Sequence, residues 1–91
     1  MGLTTWAAFS GSDDLAAMDG DFIMTAAEVQ PVLRALRKAK IHVVALHNHM
    51  VGEQPVFCFT HFWGKGTTRE LAKGFQSALK AQKKAGAEKD H

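Results

Sequence analysis

The chain is short of cross-links, of net charge and of long apolar runs, and each shortage narrows what it can be. Cys58 is the only cysteine in 91 residues, which excludes an internal disulfide framework and any cysteine-rich zinc module. No apolar stretch approaches the roughly 20 residues of a membrane-spanning helix, so no direct membrane span is expected. Met1 to Phe9 has neither the basic start nor the apolar core of a secretory signal. The formal net charge is only +2, and it sits at the end of the chain, where Lys80, Lys83, Lys84 and Lys89 outnumber Glu88 and Asp90. Residues 1–79 are balanced and lack the basic stripe of a nucleic-acid-binding surface, so no nucleic-acid partner is expected.

With 46% apolar and 22% charged residues, the chain is long enough for one small globular domain and one core. We read residues 1–79 as a single α+β domain and 80–91 as a Lys-rich helix end and tail. Leu3 to Phe9 reads as a first strand closed by the turn cluster Ser10-Gly-Ser-Asp13, and Leu15 to Met24 as a second, in which Gly20 signals a bulge or a close backbone approach. Thr25-Ala-Ala-Glu28 is a capping box that starts a helix. Its apolar positions Val29, Val32, Leu33 and Leu36 share one face, and Pro31 predicts a kink or an irregular first turn near Ala27. Ile41 to Met50 and Val56 to Trp63 read as a strand pair around the turn 51–55. Gly64-Lys65-Gly66 then reads as a break, and a second capping box, Thr67-Thr-Arg-Glu70, opens the last helix, with Leu71, Phe75, Ala78 and Leu79 as its buried stripe.

The order ββαββα predicts a four-stranded, mostly antiparallel sheet with both helices on one face and the fourth strand between the second and third, a permuted ferredoxin-like arrangement. The other face is left uncovered, which predicts a homo-oligomer through it.

Histidine is the unusual ingredient. His47 and His49 are two apart on a strand and so share a face, while strict alternation sends His42 to the opposite one. If residues 51–55 form a five-residue loop, Met50 faces Val56, and the register sets His49 against Phe57, His47 against Phe59 and Ala45 against His61. His61 then joins His47 and His49. Three imidazoles from two adjacent strands supply the neutral nitrogen donors that a divalent transition metal takes, with zinc first and copper or nickel as alternatives. Glu53 in the turn and Asp19 or Asp21 on the second strand are the candidates for a fourth ligand or a partner behind the ligands. Ordinary hydrogen-bonded histidines remain the plain alternative. Phe57, Phe59, Phe62 and Trp63 read mainly as packing, and Cys58 as a small buried apolar residue.

Asp19-Gly-Asp-Phe-Ile-Met-Thr25, Glu28-Val29, Ala45-Leu-His-Asn-His-Met50 and His61-Phe-Trp-Gly64, in that order and spacing, resemble the LppY/LpqO-like bacterial domain of unknown function. The resemblance runs from Leu3 to Leu79 and is to the C-terminal part of that domain. It implies a periplasmic or cell-envelope home and further strands upstream of Leu3, and it implies no reaction. Three functional classes follow: a metal-binding domain, an enzyme using the same histidines for metal-assisted or acid/base chemistry, and a structural module that dimerises through its open sheet face.

Overall fold

In the computed structural model the backbone is described for residues 5–50 and 56–89, and side chains for these apart from 45–50, 56–57 and 87–89. The elements are β1 (Trp6–Gly11), β2 (Ala16–Met24), α1 (Ala26–Lys38), β3 (His42–Met50), β4 (Val56–Gly66) and α2 (Thr68–Lys89). The strands form one sheet in the order β1-β2-β4-β3, every neighbouring pair antiparallel. This is the expected α+β arrangement, with β4 between β2 and β3.

Alternation along the two central strands divides the sheet into two faces. Ala16, Met18, Phe22 and Met24 of β2 and Cys58, Thr60 and Phe62 of β4 are buried. They pack with Val29, Val32, Leu33 and Leu36 of α1 and with Leu71 and Ala78 of α2 in one core. The rings of Phe22, Phe62 and Phe75 meet at its centre, with centroids 5.5–5.7 Å apart. The odd-numbered residues of β2, and those of β4 from Phe59 onward, remain half-buried or exposed and form the open face.

Local signals account for where α1 begins and ends. The Glu28 carboxylate accepts the Thr25 N–H at 2.9 Å, one half of a capping box, while the Glu28 N–H bonds to the Thr25 carbonyl at 3.0 Å rather than to its hydroxyl. The helix passes through Pro31 without ending. Its C-terminus closes on paired bonds, Lys40 N–H to the Arg37 carbonyl (2.9 Å) and Ile41 N–H to the Leu36 carbonyl (2.9 Å), the Schellman pattern. That pattern puts the residue after the cap in the left-handed region, and here it is Lys40, at φ 63°. The second capping box forms, with Glu70 N–H donating to Thr67 Oγ1 at 3.1 Å.

Two sequence expectations are corrected, and the alternatives left open at Gly20 are resolved. β4 does not stop at Trp63: Gly64, Lys65 and Gly66 continue it by pairing with Met18, Ala17 and Ala16, because the length of β2 offers a ladder that outweighs the weak strand preference of glycine. Leu79 is 37% exposed. The buried stripe of α2 runs Leu71, Phe75, Ala78 and Ala85, and eight residues from Leu71 the helix has turned Leu79 about 80° off it. No bulge occurs at Gly20, whose ladder is continuous on both sides. The close approach is what that glycine serves: an added Cβ would lie 2.1 Å from the Trp6 carbonyl oxygen and 2.7 Å from the Phe62 ring.

Two stability effects follow. Gly20→Ala is expected to destabilise by about 2 kcal/mol or more through overpacking against backbone. Lys40→Gly is expected to stabilise by about 1 kcal/mol by relieving the left-handed conformation. Urea unfolding of each variant, read as a change in midpoint at constant slope, checks both.

Candidate functional site

The site is built on the open face where one row of residues crosses all four strands. Trp6 of β1 pairs with Asp21 of β2, Asp21 pairs with His61 of β4, and His61 pairs with Ala45 of β3. Residues paired across antiparallel strands share a face, so this row carries the indole, the carboxylate and the imidazole side by side. The next row follows the same logic with Ala8, Asp19, Trp63 and His42.

Within the first row the side chains are bonded. Asp21 Oδ1 lies 3.0 Å from His61 Nδ1, and Asp21 Oδ2 accepts the Trp6 Nε1–H at 3.1 Å. The other imidazole nitrogen, Nε2, lies 4.0 Å from Asp19 Oδ2, beyond hydrogen-bond reach. The His61 and Asp21 side chains are 41% and 40% exposed, which leaves the imidazole open to a ligand and the pair open to competing water. Asp21 therefore bonds the ring at Nδ1, and Asp19 stands on the Nε2 side without bonding it. Sequence reading left their direction open, and the unbroken ladder through Gly20 settles it.

The register of β3 against β4 is the expected one from Met50↔Val56 to Ala45↔His61, with His47 opposite Phe59 and His49 opposite Phe57. The backbone thus sets His47 and His49 at the register positions required for them to join His61. Their side chains, and Glu53, lie outside the described residues. Among the described residues no group of three or more His, Cys, Asp or Glu side chains is placed to hold a metal ion.

His42 overturns an expectation. Between Val43↔Phe62 and Ala45↔His61 the ladder slips by one residue, so Val44 is a bulge. A bulge inserts one residue and inverts the alternation beyond it, so His42 falls opposite Trp63 on the open face. There its ring stacks on the indole, with centroids 4.4 Å apart and planes 26° apart. Trp6 is the other residue that sequence reading missed as a site member; its only signal was an indole on a strand, without a register to place it.

A cleft of about 530 Å3 lined by Asp13, Asp14, Thr67, Thr68 and Arg69 lies at the far end of β2 and carries no histidine.

A family model described as Domain of Unknown Function (DUF1259) matches residues 1–81. The chain belongs to this family. The matched span includes every residue of both rows. Neither a curated protein nor a solved structure matches the chain. Among the described residues no helix is long and apolar enough to cross a membrane.

The Asp21–His61 contact joins two exposed groups, so its worth is modest. A double-mutant cycle over Asp21 and His61, read by urea unfolding, is expected to return a coupling of about 0.5–1 kcal/mol that shrinks in 1 M salt.

Proposed function

We propose that this is a small metal-binding domain of the bacterial cell envelope, LppY/LpqO-like in kind, that holds a divalent transition metal on its open sheet face through His47, His49 and His61. The observation that carries the reading is the Asp21 carboxylate on His61 Nδ1. Metal-ligating histidines characteristically donate their second ring N–H to a carboxylate, which fixes the ring and makes the free nitrogen a better donor. Nε2 is that free nitrogen, and Asp19 stands on its side as the fourth-ligand candidate while Asp21 stands behind the ring. A set of imidazoles with one carboxylate suits zinc, and copper or nickel would be accepted by the same donors.

The same contact favours a second reading. A carboxylate-oriented, half-exposed histidine is also the form of a general base, so the alternative is an enzyme that activates water at His61, with or without a metal. Self-association through the open face belongs to the proposal as well, because Trp6 and Trp63 are 43% and 38% exposed there.

Zinc titration by calorimetry of protein purified without an affinity tag tests the first reading. His47→Ala or His61→Ala is expected to remove most of the affinity, Asp21→Asn to lower it about 10–100-fold, and His42→Ala to leave most of it. Equal losses at His42, His47 and His61 would contradict the ligand assignment. Ester or phosphoester hydrolysis that disappears in Asp21→Asn while zinc stays bound would favour the enzyme. Sedimentation at micromolar concentration showing only monomer would remove the self-association.

A further inference from the structure

We infer that Trp6, on the edge strand β1, is a positioning residue for His61: through Asp21, its indole N–H holds the imidazole as the Nδ1–H tautomer, with Nε2 presented as an unprotonated donor on the open face. The inference rests on the metal reading only for the purpose it gives to Nε2. The bonding pattern fixes the direction of the chain. An indole N–H can only donate and a carboxylate can only accept. Trp6 therefore donates to Asp21 Oδ2 at 3.1 Å, and the proton in the 3.0 Å contact between His61 Nδ1 and Asp21 Oδ1 must belong to the imidazole. Among the described residues each carboxylate oxygen thus meets one donor, the indole at Oδ2 and the imidazole at Oδ1.

With the indole N–H removed, Oδ2 would be satisfied by water and the carboxylate would be free to turn, since Asp21 is 40% exposed. Asp19 Oδ2, 4.0 Å from Nε2, then becomes a competing acceptor, and a small ring rotation with the proton on Nε2 would satisfy it. Trp6 decides between the two states because it is itself held in place. It is the ladder partner of Asp21, and the preceding Thr5 accepts the Ile23 N–H through Oγ1 at 3.1 Å. An edge strand whose residues are mostly exposed thereby sets the protonation pattern of a histidine two strands away.

The test is long-range 1H–15N NMR of the imidazole nitrogens in the full chain, metal-free and at a pH where the ring is neutral, with a zinc titration in parallel. In the unaltered chain His61 is expected to show the Nδ1–H pattern. Trp6→Phe should raise the Nε2–H fraction several-fold and weaken zinc binding about 3–10-fold, less than loss of the carboxylate itself. Phe9→Leu alters the same edge strand at a position paired with Met18 rather than with Asp21 and should leave the tautomer unchanged. As a readout that does not depend on Trp6→Phe folding, the Trp6 indole N–H resonance should move upfield and exchange faster in Asp21→Leu. A His61 already in the Nε2–H form in the unaltered chain, or the same tautomer mixture in Trp6→Phe, would overturn the inference. A tautomer shift in a chain that binds no zinc would sustain it while removing the metal reading.

Discussion

The structure depends on one constraint: β4 is one of the two central strands, hydrogen-bonded on both sides, and its period of two serves two purposes at once. Cys58, Thr60 and Phe62 project into the core beneath the helices, and Phe59, His61 and Trp63 project from the opposite face. A slip of one residue would send His61 into the apolar layer and Phe62 out of it. The burial of Phe62, which is complete, therefore fixes the side on which His61 stands. Gly20 belongs to the same constraint, since it lets β1 approach and the Phe62 ring lie against the backbone, and it sits between the two aspartates that flank His61.

Much of this was legible in the sequence, because the relevant signals are local. The four apolar positions of α1 are its buried residues, since a helix cap and a 3.6-residue period are both written within a dozen residues. The loop length between β3 and β4 was enough to set their register from Met50 to Ala45, since residues paired near a turn are determined by the count across it. The uncovered face followed from element order alone.

What was not legible depends on more distant partners. The bulge at Val44 has no mark in the run Ile41-His-Val-Val-Ala-Leu46, where neither glycine nor proline signals a break, and it reverses where His42 goes. Its place is decided by the stack on Trp63, a partner on another strand. The role of Trp6 required the register of β1 against β2. The continuation of β4 through Gly64 to Gly66 was hidden for the same reason: glycine reads locally as a break, and only the length of β2 shows that a ladder is available there.

One contact bears on where the domain physically stops. Gln82 donates both of its side-chain amide hydrogens, to the Ile23 carbonyl at 2.8 Å and to Glu28 Oε1 at 3.1 Å. The Glu28 oxygen is the same one that caps α1, and Ile23 is the last but one residue of the strand that carries Asp19 and Asp21. Gln82 follows directly after the matched span 1–81, so a family boundary drawn there cuts through a clasp. The last turns of α2 act as a latch over the junction of β2 and α1, and a chain shortened to residues 1–81 would leave that junction to water.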